Sequence, residues 1–320
     1  MMKIVLLDTN TLGEGLDLSV FGEFGEVNQY GFTSQDEVVE RIKDVDIIIT
    51  NKVVLDESNL QYAKKLKLIC LPATGTNNVD KKYTENKGIK VANVVGYSTE
   101  SVAQHTFAIL LYLYEKLAYY DKYVKDGLYI NDKYFTHYEK QFNELNNKIF
   151  GIIGLGNIGR RVAEIAKAFG CKVIYYSTSG KNNTTDYERC SLNDLLSQSD
   201  IISIHAPLNK YTNNLITIKE LSKMRSSSII LNLGRGKIIN ETDLAKALNN
   251  KIIAGAALDV LENEPIEEDN PLLKIKDSTR LLITPHIGWA SIESRNRVVQ
   301  EVKMNIEAFI KGEERNIVKK

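Results

Sequence analysis

Residues 148–169, KIFGIIGLGNIGRRVAEIAKAF, constrain the fold more than any other stretch of this chain. An apolar run with strand character leads straight into Gly154-Leu-Gly156-Asn-Ile-Gly159, and an amphipathic helical pattern follows from 158 to 169. Each glycine answers a separate need. The first permits the tight turn, the second lets the backbone approach a pyrophosphate, and the third lets helix pack on strand. The N-terminus of the helix attracts the phosphate charge. A bare G-x-G-x-x-G is weak, and a purely structural glycine-rich turn is its dull alternative. Here strand, turn, helix and a second strand at 172–176 come in order, which predicts a βαβ unit that binds a dinucleotide.

The same alternation runs through most of the chain. Nearly continuous apolar runs at 3–7, 46–50, 66–71 and 89–95 read as strands, as do 148–153, 172–176, 200–205, 228–233, 252–258 and 280–284. Runs of this kind suit parallel strands covered on both faces. Helical patterns at 158–169, 218–224 and 241–248 lie between them. The expected class is α/β, with two Rossmann-like doubly wound parallel sheets. A long helix at 101–124, with Ser101 and Gln104 as a capping box, separates the two sets of strands. A polar loop at 125–147 follows it, and a second long helix at 290–310 ends the chain. These helices are read as crossovers: residues 1–98 and 289–320 would form one discontinuous domain, the substrate-binding one, and 99–288 an inserted dinucleotide-binding domain.

Composition narrows the function classes. Forty-one basic residues balance 41 acidic ones, so no global field points to nucleic acid or to an anionic membrane. The start, MMKIVLLDTN, reaches Asp8 without a signal-peptide pattern, and the longest apolar run, 107–114, is too short to span a bilayer. Cys70, Cys171 and Cys190 give neither a disulfide framework nor a zinc spacing. No metal site is expected, and a cytoplasmic protein is the simplest reading. No G-x-S-x-G elbow is present for a serine hydrolase.

Other motifs sit where strands end. Pro72, Pro207, Pro265 and Pro285 fall in LPATG, HAPL, ENEP and TPHIG. Ligands of open α/β sheets bind outside the carboxyl ends of the strands, so these segments should converge on one crevice. His286, in LLITPHIGWAS, is one of four histidines and follows what reads as a buried strand. The fingerprint also expects an acidic residue at the end of its second strand, to hold the adenosine ribose. Ser177 stands there instead.

In these motifs the chain resembles the D-isomer-specific 2-hydroxyacid dehydrogenases over nearly its whole length. The match covers ATGTNNVD from Ala73, GYSTESVAQHT from Gly96, the glycine fingerprint, HAPL from His205, NLGRG from Asn232, LDVLENEP from Leu258 and TPHIG from Thr284. The Trp289-Ala-Ser tail, and Gln104 where many relatives carry Glu, are most similar to the glycerate dehydrogenase (hydroxypyruvate reductase) branch. The resemblance implies hydride transfer between a nicotinamide and a small D-2-hydroxy acid/2-oxo acid pair, glycerate/hydroxypyruvate or glycolate/glyoxylate. A phosphoglycerate dehydrogenase is the alternative enzyme, and a dinucleotide-sensing corepressor with little catalysis the alternative of another class.

The resemblance also implies roles. His286 is the acid-base group, as an imidazole can be near neutral pH. Glu264 hydrogen-bonds it and favours the imidazolium. Arg235 binds the substrate carboxylate and carbonyl with its fork of donors, and the amides of Thr74 and Gly75 hold the other carboxylate oxygen. Asp259 accepts from the nicotinamide amide, while Gly154, Gly156, Asn157, Ile158, Gly159, Ser177, Ala206, Pro207, Thr212 and Leu233 line the dinucleotide. The cofactor is NAD, with NADP admitted because Ser177 replaces the usual Asp. His205 lies beside the adenine and is not catalytic. His105 is read as a packed core histidine and His137 as exposed. Tyr119, Tyr120 and Tyr123 pack a helix or a subunit interface, the expected homodimer using the 101–124 helix.

Overall fold

The computed structural model describes residues 1–318. The chain divides into two compact units, Met1–Ser98 together with the segment from Ala290 on, and Thr99–Trp289.

The first unit is built on five parallel strands: β1 (Met2–Leu6), β2 (Gly25–Gln29), β3 (Ile47–Ile49), β4 (Leu68–Cys70) and β5 (Lys90–Ala92), in the order β2-β1-β3-β4-β5. β3 and β4 are buried along their whole length, as their unbroken apolar sequence requires of central parallel strands. The edge strand β2, GEVNQ, has no such run and keeps half or more of its residues at the surface. It pairs on one side only, which is why no apolar signal marks it. The helix Ile292–Ile310 belongs to this unit and starts at Ser291, whose hydroxyl accepts from the Ser294 N–H. The chain then runs antiparallel beside β5, with Val318 N–H donating to the carbonyl of Val91.

The second unit holds seven parallel strands: β6 (Ile149–Ile153), β7 (Lys172–Tyr176), β8 (Glu188–Arg189), β9 (Ile201–Ile204), β10 (Ile229–Asn232), β11 (Gly255–Leu258) and β12 (Leu281–Ile283). Their order is β12-β11-β10-β9-β6-β7-β8, so the winding reverses between β6 and β9. That reversal opens the crevice in which doubly wound sheets hold ligands. One face is covered by the helices Thr99–Tyr114 and Asn157–Ala168, through Val102, Phe107, Leu110, Val162 and Ala166. Leu195, Leu221, Leu244 and Leu248 cover the other. Strand β8, two exposed residues at the sheet edge, has no counterpart in the sequence reading. β12 is half-buried rather than buried, because it is the opposite edge.

The helix expected at 101–124 is two helices, Thr99–Tyr114 and Leu117–Lys125, broken at Lys116, which adopts a left-handed conformation (φ 60°). The Ser101–Gln104 capping box does not form. Ser101 lies inside the helix and its hydroxyl donates to the carbonyl of Gly288. His137, expected at the surface, is half-buried and stacks on Tyr123 with ring centroids 3.8 Å apart.

Candidate active site

The glycine loop between β6 and the helix Asn157–Ala168 has the geometry a phosphate needs. Gly154 has φ 95°, and a β-carbon there would lie 2.8 Å from the amide nitrogen of Ala206. At Gly156 a β-carbon would meet open space, whereas at Gly159 it would lie 2.3 Å from the carbonyl oxygen of Gly154. The loop is thus closed behind and open in front. Asn157 and Ile158 begin the helix, so their N–H groups have no carbonyl within it to bond.

A cleft of ≈ 530 Å³ lies against this loop, lined by Gly154, Gly156, Thr178, Lys181, Asn182, His205, Pro207 and Lys210 among others. No Asp or Glu lines it. Asn182 donates to the carbonyl of Leu155 at 2.9 Å and so ties the loop after β7 to the glycine turn. Ser177 itself is 5% exposed, and its buried hydroxyl has no hydrogen-bond partner among the described residues. Ala206 and Leu233 are buried. Thr212 is fully buried, donating to the carbonyl of Pro207 and accepting from the Asn209 N–H, so it shapes the 207–212 loop from behind. His205 ends β9; its Nε2 lies 2.8 Å from the Ser203 hydroxyl, its Nδ1 is a buried orphan, and burial pushes its pKa down to about 3.

The second group of residues lies beyond the carboxyl ends of β10, β11 and β12. Arg235 follows β10 in a turn that Asn232 fastens, its side-chain amide donating to the Arg235 carbonyl and its oxygen accepting from Gly234 N–H. The half-buried guanidinium bonds only the carbonyl of Gly234 and pairs with no carboxylate among the described residues. Next to it, a β-carbon on Gly236 would fall 1.9 Å from the carbonyl carbon of Leu261. Only glycine lets the arginine turn press against the chain that leads to Glu264. One oxygen of Glu264 accepts from the Leu261 N–H, and the other lies 2.7 Å from Nδ1 of His286. His286 has φ 55°, in the left-handed region where a side chain is strained.

Asp259 stands just past β11 and is 3% exposed. Burial alone would raise its carboxyl. Hydrogen bonds from His105, Thr284 and the Gly288 and Ile287 N–H groups outweigh it and hold the pKa below the ordinary value. A carboxylate offers about four lone-pair sites, and among the described residues only the Gly288 N–H bonds Oδ2. His105 is therefore more than packing: its Nε2 is 3.1 Å from the Thr284 hydroxyl. Glu241 went unnoticed in the sequence. It is buried and accepts from the Glu262 N–H and the Asn270 amide, bracing the same segment; a glutamate in an ordinary helical pattern carries no signal of this. In the first unit, the Thr74 hydroxyl donates to the Val94 carbonyl, and the N–H groups of Thr74 and Gly75 are unpaired among the described residues.

Residues 107–288 match the family model described as D-isomer specific 2-hydroxyacid dehydrogenase, NAD binding domain. The chain is 39% identical to the hydroxypyruvate reductase of Blautia hydrogenotrophica, with 100% of both covered. It is 34% identical to the glycerate dehydrogenase of Methylorubrum extorquens, covering 99% of this chain and 98% of that one. Among solved structures it is similar to an acyclic imino acid reductase in complex with NADPH and D-Arg, at 30% identity and TM-score 0.89, covering 99% of this chain and 100% of that one. The fold, the glycine loop and these likenesses agree: the chain belongs to the D-isomer-specific 2-hydroxyacid dehydrogenase family, enzymes of nicotinamide-dependent hydroxyacid oxidoreduction.

Proposed function

We propose that this enzyme interconverts a small D-2-hydroxy acid and its 2-oxo acid, with hydroxypyruvate or glyoxylate as the oxo acid reduced. The observation that carries the reading is the His286–Glu264 pair, 2.7 Å apart beyond the carboxyl end of β12. Reduction of a ketone needs a proton for the carbonyl oxygen, and an imidazole backed by a carboxylate can supply it near neutral pH. Glu264 holds the Nδ1–H, which leaves Nε2 to carry the proton given away. Arg235, with no acid of its own, suits the substrate carboxylate and the carbonyl oxygen. The unpaired N–H groups of Thr74 and Gly75 suit a carboxylate oxygen by the same chemistry.

The cofactor site fits a nicotinamide dinucleotide. Gly154, Gly156, Asn157, Ile158 and Gly159 would hold the pyrophosphate, and Ala206, Pro207 and Leu233 would flank the rings. Asp259 would accept from the carboxamide on the free side of Oδ2. Bound there, the nicotinamide supplies or takes the hydride. The orphaned Ser177 hydroxyl would find a partner in the ribose. A cleft with Lys181 and Lys210 and no carboxylate leaves nothing to repel a 2′-phosphate, so NADPH would serve beside NADH. The side chains of Leu117, Val124, Ile130, Phe135, Tyr138 and Phe142 are each exposed, and a second copy would cover them in a homodimer. No described helix is long and apolar enough to cross a membrane, and the enzyme would work in the cytoplasm. The test is turnover of a panel of 2-oxo acids, followed at the nicotinamide absorbance with NADH and with NADPH. Hydroxypyruvate or glyoxylate should give the highest kcat/KM; cofactor binding without turnover of any oxo acid would overturn the enzyme reading.

A further inference from the structure

His286 sits in a backbone conformation that a side chain reaches only at a cost, and such residues persist where the surroundings over-determine them. Here the determination comes from outside the loop. Asp259 Oδ1 accepts from the Thr284 hydroxyl at 2.7 Å and from the Ile287 N–H at 2.9 Å, and its Oδ2 accepts from the Gly288 N–H at 2.8 Å. The carboxylate therefore grips the chain on both sides of His286. Behind it stands the helix Thr99–Tyr114, whose residues Ser101 and His105 are four apart and share a face. Ser101 donates to the Gly288 carbonyl at 2.6 Å. His105 Nε2 lies 3.1 Å from Thr284 Oγ1 and 3.4 Å from Asp259 Oδ1. The hydroxyl proton of Thr284 is spent on Asp259, so its oxygen can only accept, and His105 must carry a proton on Nε2. The bonds then run one way, from His105 through Thr284 to Asp259.

We propose that Ser101 and His105 are positioning residues for the proton donor: acting through Gly288, Thr284 and Asp259, they hold the 284–288 loop so that His286 stays at the reacting carbonyl. The proposal rests on the reading of His286 as that donor. It predicts a loss in the chemical step with cofactor binding largely kept. Neither side chain lies in the cleft against the glycine loop, and Asp259 keeps its bonds from Thr284 and from the Ile287 and Gly288 N–H groups in either variant.

The experiment compares His105→Leu, His105→Gln and Ser101→Ala, each alone and with His286→Gln. Saturated kcat is measured, and cofactor Kd is measured from nicotinamide fluorescence. A misplacement of about 1 Å can cost about a hundredfold, so His105→Leu and Ser101→Ala should each lower kcat by roughly 10- to 100-fold, with Kd within about threefold of wild type. His105→Gln places an amide donor about where Nε2 lay and should recover most of the loss. In the His286→Gln background neither change should lower kcat further. A kcat within about twofold of wild type in both single variants overturns the proposal, as does an equal loss in the His286→Gln background. Should His105→Leu fail to fold, Ser101→Ala decides alone. Wild-type turnover by His286→Gln would bring down the functional reading and this proposal together, whereas a crippled His286→Gln beside a fully active His105→Leu and Ser101→Ala brings down this proposal only.

Discussion

His205 offers a prediction whose size follows from its surroundings. In an unfolded chain an imidazole titrates near pH ~6.5; in the folded chain burial pushes His205 down to about 3. Between those values the unfolded chain binds a proton that the folded one refuses. The folded-state pKa is depressed, so the neutral ring contributes its full share of stability above the unfolded value. That share is lost progressively as pH falls toward the folded value, and no more is lost below it. The slope in that window is about 1.4 kcal/mol per pH unit. From pH 7 to 5 the loss comes to about 2 kcal/mol, and since the residue as a whole is only half-buried, about 1–2 kcal/mol is the figure to expect.

The perturbation is His205→Gln, which removes the titration while keeping a side chain able to bond the Ser203 hydroxyl. Thermal unfolding without cofactor is followed from pH 7.5 to 4.5 for both proteins. Every other titrating group is common to the two, so it drops out of the difference between the curves. At pH 7 the variant should be the less stable, having lost a fitted ring. The gap should close by about 1–2 kcal/mol on going to pH 5, roughly 2–8 °C in Tm for a domain of this size. Curves that stay parallel through this range would show that His205 is not held neutral by burial.

Two further changes test the anion sites. Arg235→Lys keeps the charge but not the fork, and an ammonium cannot reproduce a two-point grip on carboxylate and carbonyl. The KM for the oxo acid should rise by roughly 10- to 100-fold, the worth of about 1.5–3 kcal/mol of charge-assisted bonding, and an unchanged KM would place the substrate elsewhere. Ser177→Asp adds a carboxylate next in sequence to Thr178 and Ser179, which line a cleft without Asp or Glu, and the repulsion of a phosphate is on the order of a kcal/mol or more. The ratio of kcat/KM for NADH over NADPH should rise about tenfold; a wild-type preference for NADH already above about a hundredfold would show that Ser177 does not open the pocket.

The parts of the fold legible in the sequence are those whose cause is local. The turn at Gly154 and the burial of β3, β4, β6 and β9 are written in residues next to one another, as glycine spacing or unbroken apolar runs. Strands β2 and β8 are polar edges, and no apolar side-chain pattern announces them. The break at Lys116 carries neither glycine nor proline, so a lysine in the left-handed region left nothing to read. His286 was legible through its motif, and Glu264 through resemblance rather than local pattern. Asp259 was legible as a residue and not as an arrangement. Its donors, Thr284, Ile287 and Gly288, lie 25 to 29 residues away, and two of them are backbone groups that any sequence would supply.

The two histidines that follow strands show why position in the sheet decides chemistry. Both come after apolar runs and within two residues of a proline, His205 in IHAPL and His286 in ITPHIG. His205 follows β9, the middle strand of seven. There the ring meets a serine hydroxyl and buried surroundings that refuse it a charge. An imidazole so placed stays neutral through the pH range in which the enzyme would work, and it has no proton to give. His286 follows β12, the half-buried edge strand, with 30% of its side chain exposed and a carboxylate 2.7 Å from Nδ1. A group that surrenders a proton at each turnover must be recharged from solvent, and a partner must stabilise the charged ring in between. A proton donor would find solvent and a carboxylate partner at the edge and neither at the centre. Exposure alone would leave the ring free to wander, and a proton donor at this place would rely on the grip of Asp259 on the backbone either side of it.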